Sequence, residues 1–197
     1  MAKVSTPIVE FICDFGAIEI ELYPDQAPHT ARNFLAYCDK GLLDGSSVFR
    51  IVTPENDRPE RSCDSRAVQW GWRPEKARYD PALGRGWDPM DAPENLPFPP
   101  VPLETTEITG LRHKRGTVSM GRDSAGLSGP HFFFCVEDAP YFDFGGKRNP
   151  DGRGFAAFAQ IVSGFEVLDR LYGLAEPITW MMHPYPIRSV RRKVFHG

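Results

Sequence analysis

The stretch Leu111–Asp143 constrains the fold more than any other part of the chain. It holds two apolar strand-like runs, Gly116–Met120 and Phe132–Val136, separated by a loop over 121–130 that is too rich in Gly and Ser to be helical. The second run begins with three consecutive phenylalanines, and an aromatic pair, Tyr141-Phe142, follows it. Because side chains alternate between the two faces of a strand, this segment can build an apolar cleft beside exposed backbone amides. The sequence therefore predicts a cleft that suits a small apolar ring on an extended peptide.

The rest of the chain is predicted to form further short strands and two helices. Period-two alternation of apolar and polar residues indicates half-buried strands. The predicted strands are Ile8–Cys13, Ala17–Tyr23, Val48–Val52, Arg66–Gly71, Gly116–Met120, Phe132–Val136, Phe155–Val162 and Ile187–Phe195. Helices are predicted from Pro28 to Gly41 and from Gly164 to Tyr172. This tally predicts a mainly β fold, a closed eight-stranded antiparallel barrel capped by two α-helices.

At 197 residues the chain is predicted to be one domain, spanning residues 1–197. Its unusual part is Trp72–Pro102, which contains eight prolines and therefore cannot form a regular helix or a central strand. The same stretch carries large aromatic side chains that are too costly to leave in water, Trp72, Tyr79, Trp87 and Phe98. We therefore expect an ordered, extended flap packed on the domain, with a mobile linker as the alternative.

Composition and charge exclude several classes of function. A net charge of −3 gives no footprint for nucleic acid or for an anionic membrane, and no apolar run reaches membrane-spanning length. The first residues lack the basic and apolar regions of a signal peptide. The basic run Arg188–Lys193 is interpreted as the solvated face of an edge strand.

The cysteines and histidines do not have the spacing of a metal or redox site. The four cysteines are scattered and form no CxxC pair, at Cys13, Cys38, Cys63 and Cys135. We expect them to be reduced, mostly buried thiols in a cytoplasmic protein. Three histidines are predicted to be structural or exposed, His113, His131 and His183. No metal and no other cofactor is predicted.

Four pieces of the chain together resemble the cyclophilin-type peptidyl-prolyl cis-trans isomerases. They are GAIEIELYPDQAPHTARNFLAYC (Gly16–Cys38), VFRIV (Val48–Val52), HKRGTVSM with its Gly-rich loop and FFF (His113–Phe134), and FAAFAQIVSGFEVLDRL (Phe155–Leu171). They follow the family's order and leave out mainly residues 53–100. The resemblance implies the cyclophilin barrel. It also implies cofactor-free isomerisation of X–Pro bonds in proline-containing peptides and in unfolded or partly folded proteins.

Catalysis of X–Pro isomerisation needs few protein groups. Rotation about an X–Pro bond is slow because amide resonance sets a barrier of about 20 kcal/mol. A catalyst needs an apolar pocket for the proline ring, a fixed cationic donor near the prolyl nitrogen, and anchors for the flanking peptide. Arg50, in VFRIV, matches the arginine that is the principal catalytic residue of the family. The alternative is an exterior or ion-paired arginine. Strand alternation would direct Phe49 and Ile51 away from it.

The remaining site residues also follow from the resemblance. Gln69 matches the glutamine that fixes the substrate carbonyl and orients the arginine, and Ala67 falls where the family usually has methionine. Phe133 matches the pocket floor, with core packing as the alternative, and alternation separates it from both neighbouring phenylalanines. The other implied substrate-binding residues are Gly121 and Arg122 through backbone groups, Phe142 as an apolar pocket residue, and Tyr141 at a position that is often tryptophan.

One departure from the family concerns the pocket wall. Phe155 stands where the family usually has a histidine, which keeps the wall apolar but removes a polar contact. Together with Ala67, this substitution favours the rival hypothesis of a proline-peptide binding module with little turnover. A third hypothesis is an interaction scaffold with the Pro-rich flap lying in the cleft. The resemblance also suggests cyclosporin as a ligand, bound weakly because Tyr141 replaces the usual tryptophan.

Overall fold

The computed structural model describes residues 6–57, 63–73, 93–122 and 126–194. These residues form nine strands, β1 Ile8–Cys13, β2 Gly16–Leu22, β3 Ser47–Val52, β4 Ala67–Gly71, β5 Val101–Pro102, β6 Thr117–Arg122, β7 Leu127–Cys135, β8 Ala156–Ser163 and β9 Trp180–Arg192. They also form three α-helices, α1 Pro28–Asp39, α2 Thr106–Thr109 and α3 Phe165–Tyr172, and short 3-10 turns at Pro93–Asn95 and Pro140–Phe142. Among the described residues no helix has both the length and the apolar character to cross a membrane.

Eight of the strands close into a barrel. Their order is β4-β3-β9-β1-β2-β8-β6-β7, every neighbouring pair is antiparallel, and a further pairing between β4 and β7 closes the ring. The predicted closed eight-stranded antiparallel barrel is therefore confirmed. The two-residue β5 pairs outside the ring with β7, and the one-turn α2 is an additional helix. The two predicted helices are α1 and α3.

The barrel interior is filled by aromatic and aliphatic side chains. Phe34 from the apolar face of α1 meets Trp70, Phe132 and Phe158 with ring centres 4.8 to 6.1 Å apart. On β7 Phe132 and Phe134 are fully buried in this core, whereas Phe133 between them belongs to a second apolar cluster. The period of two along β7 thus supplies both the core and, on the opposite face, the beginning of a separate site.

The structure corrects two predictions about where strands begin and end. Most of the predicted loop over 121–130 is strand, because β6 extends to Arg122 and β7 begins at Leu127, where it pairs with both β5 and β6. The last strand begins at Trp180 rather than at Ile187, because residues 180–186 pair with β3. Pairing with neighbouring strands overrides the local turn preference of Gly and Pro here, because strand preference depends strongly on tertiary context. In the sheet order β9 lies between β1 and β3, but its ladder with β3 ends at Pro186, and residues 187–192 pair with β1. Within the basic run the arginines are exposed and Val190 is buried.

Much of the predicted flap, residues 74–92, lies outside the described residues. The described part that follows is packed on the barrel. Phe98 forms an edge-on contact with Tyr37 at 5.1 Å, and Asn33 Nδ2 donates a hydrogen bond to the Pro99 carbonyl at 3.3 Å. Just beyond it, the buried carboxylate of Glu104 accepts hydrogen bonds from the backbone and hydroxyl of Thr30 in the first turn of α1. This segment is therefore ordered by contacts with α1.

Candidate active site

A cavity of about 200 Å³ lies on the face of β7 that points away from the core. Eight of the nine site residues predicted from the sequence line it, Arg50, Ala67, Gln69, Gly121, Arg122, Phe133, Phe142 and Phe155. Tyr141 is the exception. Its ring packs against Phe142 at 4.7 Å, and its hydroxyl accepts a hydrogen bond from the Arg66 backbone and donates to Glu137. Tyr141 therefore packs against a residue that lines the cavity.

Strand register brings the central residues together from distant parts of the chain. Arg50 on β3 pairs with Gln69 on β4, Gln69 pairs with Phe133 on β7, and Phe133 pairs with Ser119 on β6. Neighbouring strands lie about 4.8 Å apart, so these residues form one row across the outer face of the barrel. The row places a guanidinium at one end and a phenyl ring near the other.

Arg50 is half-buried, and its hydrogen-bond partners include the side chains of Thr179 and Gln69. Its Nε–H donates to Thr179 Oγ1 at 3.3 Å, and Nη1 donates to Gln69 Oε1 at 3.1 Å. Its guanidinium carbon lies 5.6 Å from the centre of the Trp180 ring. The predicted alternation fails next to it, because a bulge between Val48 and Arg50 interrupts the ladder. Phe49 consequently stacks on Trp180, which lines the same cavity.

The apolar half of the cavity is a cluster of three phenyl rings. Phe133, only 5% exposed, makes edge-on contacts with Phe142 at 5.1 Å and with Phe155 at 5.2 Å. Phe142 and Phe155 also meet each other edge-on at 5.4 Å. The buried methyl group of Ala67 belongs to the same cluster. Such edge-to-face contacts fix the rings in place, so the pocket has a defined shape.

A buried network of hydrogen bonds lies against Phe133, the predicted floor of the pocket. The His113 ring lies parallel to Phe133 at 6.2 Å, with Nδ1 2.8 Å from Asp143 Oδ1 and Nε2 2.9 Å from Ser119 Oγ. Burial lowers the pKa of His113 despite the neighbouring carboxylate, so the ring is neutral. Burial alone would raise the pKa of Asp143, but hydrogen bonds from His113 outweigh it and lower that pKa. Nδ1–H therefore donates to the carboxylate, and Nε2 accepts from the Ser119 hydroxyl.

The wall on the β6 side is formed by the side chain of Arg122. Nε donates to the Gly154 carbonyl at 2.7 Å, Nη2 donates to Asp151 at 2.6 Å, and the guanidinium carbon lies 5.7 Å from the centre of the Phe155 ring. Backbone contacts with a substrate were the role predicted for Gly121 and Arg122. The structure also gives a steric reason for glycine at position 121, because a Cβ there would lie 3.3 Å from the His131 carbonyl oxygen.

Six lining residues were not predicted from the sequence, Val52, Gly129, His131, Arg148, Asn149 and Trp180. His131 is structural, as expected of it, and burial together with the charge of Arg73 lowers its pKa to about 3. Arg148 forms a buried ion pair with Asp57 and donates to Ser65 at 2.6 Å, which ties the loop before Phe155 to the loop after β3. Ion pairing and strand pairing over such sequence separations leave no local pattern. The only signals in the sequence that could have indicated these lining residues are a cation or a lone aromatic residue inside a predicted loop, such as Arg148 and Trp180.

Comparison with known proteins agrees with this arrangement. The sequence model of a family described as "Cyclophilin type peptidyl-prolyl cis-trans isomerase/CLD" matches residues 8–192. The chain is 26% identical over 184 residues to peptidyl-prolyl cis-trans isomerase B of Escherichia coli, covering 93% of this chain and 94% of that protein. It is 28% identical over 171 residues to peptidyl-prolyl cis-trans isomerase cyp18 of Streptomyces antibioticus, covering 84% and 83% respectively.

A solved structure shows the same fold. A cyclophilin type peptidyl-prolyl cis-trans isomerase of Cryptosporidium parvum, crystallised in the presence of the dipeptide Ala-Pro, superposes with a TM-score of 0.65 at 17% identity. The match covers 95% of this chain and 99% of that one. The match of the family model to nearly the whole chain decides the assignment: this chain belongs to the cyclophilin-type peptidyl-prolyl cis-trans isomerase family.

Proposed function

We propose that this chain is a peptidyl-prolyl cis-trans isomerase that accelerates rotation about X–Pro bonds in peptides and in unfolded or partly folded proteins. The observation that carries the proposal is the hydrogen bond from Arg50 Nη1 to Gln69 Oε1 at 3.1 Å. Gln69 in turn pairs with Phe133, whose ring is buried, on the neighbouring strand. This places a fixed cationic donor beside an apolar floor, and both belong to the same cavity.

The proposed mechanism is differential stabilisation of the twisted amide. As the C–N bond rotates, resonance is lost, and the prolyl nitrogen becomes pyramidal and gains a lone pair. A guanidinium N–H of Arg50 donates to that lone pair, a hydrogen bond that the planar ground state cannot accept. The proline ring meanwhile rests against Phe133, Phe142 and Phe155. Because the donor is oriented before the substrate arrives, little reorganisation is needed in the transition state.

Gln69 is proposed to act on both the enzyme and the substrate. Its Oε1 accepts a hydrogen bond from Arg50 and so sets the direction of the guanidinium. An amide side chain also has two N–H donors. These lie on the side of Gly121, where Nε2 is 3.7 Å from the position that a Cβ would occupy. We assign to this NH₂ group the substrate carbonyl next to the proline, which anchors one side of the rotating bond.

The second candidate function is a proline-peptide binding module with little turnover. The observation that favours it is Phe155, whose ring completes an apolar wall where the family resemblance implies a histidine. Both candidates would bind proline peptides, so affinity cannot separate them. We further propose the cytoplasm as the compartment, since all four cysteines are free thiols, as is usual in a reducing environment.

The decisive experiment is an NMR exchange assay on an Ala-Pro-Phe peptide, run with wild type, Arg50→Ala and Arg50→Lys. We expect Arg50→Ala to lower kcat/KM by about two to three orders of magnitude, the loss typical of one transition-state donor. Arg50→Lys should also be poor, because an ammonium cannot reproduce the planar fork. Arg188→Ala, at an exposed ion pair on β9, is the control and should keep the full rate.

Fast exchange that depends on Arg50 supports the enzyme. Line broadening of the peptide without faster exchange supports the binding module. An unchanged rate in folded Arg50→Ala would remove Arg50 from the mechanism.

A further inference from the structure

The start of β9 forms one side of the Arg50 environment. Arg50 pairs with Trp180 in the β3–β9 ladder, and the Ile51 amide donates to the Thr179 carbonyl at 2.9 Å. Thr179, just before β9, and Trp180, its first residue, also contact the guanidinium. Thr179 accepts the Nε hydrogen bond, and the ring of Trp180 lies 5.6 Å from the guanidinium carbon. No local sequence pattern indicated this contact, because Arg50 and Thr179 are 129 positions apart in the chain.

We propose that Trp180 is a positioning residue for Arg50, holding its guanidinium in the direction required for the donation to the prolyl nitrogen. This inference rests on the proposed isomerase function. Hydrogen bonds to Thr179 and Gln69 fix two nitrogens of the guanidinium. Two hydrogen bonds by themselves would permit a tilt of a guanidinium about the line that joins them. An aromatic surface beside the group opposes that tilt, since a guanidinium is attracted to the face of an indole ring.

Trp180 can serve this purpose because it is itself fixed. Its ring stacks on Phe49 with centres 5.5 Å apart and an interplanar angle of 19°. Phe49 is 1% exposed and in turn contacts the His131 ring at 4.5 Å and the Arg73 guanidinium at 4.8 Å. The bulge between Val48 and Arg50 is what brings Phe49 to this face of the sheet. A side chain packed in this way has little freedom to yield, so its position is transmitted to Arg50.

Trp180 also lines the cavity, so a direct contact with substrate is the alternative role to be separated. A double-mutant cycle makes the distinction. If Trp180 acts through Arg50, its removal has no effect once Arg50 is absent. If Trp180 touches the peptide directly, the loss is the same in both backgrounds.

The experiment measures catalysed exchange of an Ala-Pro-Phe peptide by NMR, at protein concentrations high enough to quantify Arg50→Ala. Trp180→Leu and Trp180→Phe are each made with Arg50 and with Arg50→Ala. We expect Trp180→Leu to lower kcat/KM about tenfold, or about 1.4 kcal/mol, when Arg50 is present. We expect a change below about twofold in the Arg50→Ala background. Trp180→Phe should restore most of the rate, because a phenyl ring keeps an aromatic face beside the guanidinium.

Tyr185→Leu is the matched control. Tyr185 is a partly buried aromatic residue on the same strand, stacked on Phe15 at 4.7 Å away from the cavity, and its loss should leave the rate unchanged. Circular dichroism establishes that each variant is folded. Equal losses in the two backgrounds, or no loss from Trp180→Leu in the presence of Arg50, would overturn the inference. Full activity of Arg50→Ala would instead overturn the proposed mechanism, and it would be evident before any Trp180 variant was compared.

Discussion

Phe133→Ala tests whether one side chain is both the floor of the pocket and part of the barrel wall. The ring is 5% exposed and contacts Phe142, Phe155 and His113. Truncation of a buried phenylalanine to alanine costs about 3–5 kcal/mol. The void left here would open into the existing cavity, so solvent can fill it. We therefore expect the lower end of that range, about 3 kcal/mol.

The same change should weaken peptide binding. A proline ring resting on Phe133 loses the apolar surface beneath it, and burying a side chain of this size contributes about 1.5–3 kcal/mol. Half of that contribution, about 0.75–1.5 kcal/mol, corresponds to roughly a fourfold to tenfold loss of affinity. The unfolding free energy is measured by urea titration with tryptophan fluorescence. The affinity is measured by NMR titration of a short proline peptide under conditions in which the variant is folded.

Phe132 supplies the control, because it is the next residue on β7 and points into the core. Phe132→Leu and Phe133→Leu make the same change of composition on opposite faces of one strand. Both should lower stability, and only Phe133→Leu should lower affinity. A Phe133 variant that loses stability but keeps wild-type affinity would restrict this residue to core packing and refute its role as the floor.

Three further changes have definite expected outcomes. Glu104→Gln should cost about 1–2 kcal/mol in urea unfolding, because the buried carboxylate accepts the Thr30 amide at 2.8 Å in the first turn of α1. Burial lowers the pKa of His131 to about 3, so the unfolded chain binds this proton first as pH falls below about 6.5. The contribution of His131 to stability, complete above that pH, should fall by about 2 kcal/mol at pH 5. His131→Gln should remove this contribution and leave the one from His113, whose pKa burial also lowers. Cyclosporin should bind more weakly than to typical family members by about tenfold or more, and calorimetry should show a partial gain for Tyr141→Trp.

Prediction of the site from the sequence was most successful where it depended on strand alternation or on a family motif. Alternation along β7 was enough to separate Phe133 from the core phenylalanines, and the motif match placed Arg50 and Gln69 in one site. For Tyr141 the motif implies a contact with substrate, which stays a prediction. Its hydroxyl is bonded to the Arg66 backbone and to Glu137, so the ring would have to make that contact. A motif fixes the order of residues along the chain, whereas the direction of a side chain depends on its neighbours in space.

What could not be predicted depends on pairing between distant segments. The bulge in β3 changes the face to which Phe49 belongs, and no local pattern in an apolar run signals a bulge. The early start of β9 at Trp180 depends on β3 being available as a partner, which overrides the prolines within that stretch. The loop before Phe155 is fixed by an ion pair between Arg148 and Asp57, 91 positions apart.

We expect the replacement of the usual pocket histidine by Phe155 to affect binding rather than the chemical step. Rotation about an amide transfers no proton, and an arginine guanidinium remains charged in proteins. His131 is the only imidazole among the described residues that line the cavity, and burial keeps it neutral at ordinary pH by lowering its pKa to about 3. His113 beneath the floor is neutral for the same reason. We therefore expect kcat/KM to stay constant between about pH 5.5 and 9, and Phe155→His to keep that plateau. A bell-shaped profile for the wild type would reveal a proton-transferring group and would contradict a mechanism based on Arg50 donation alone.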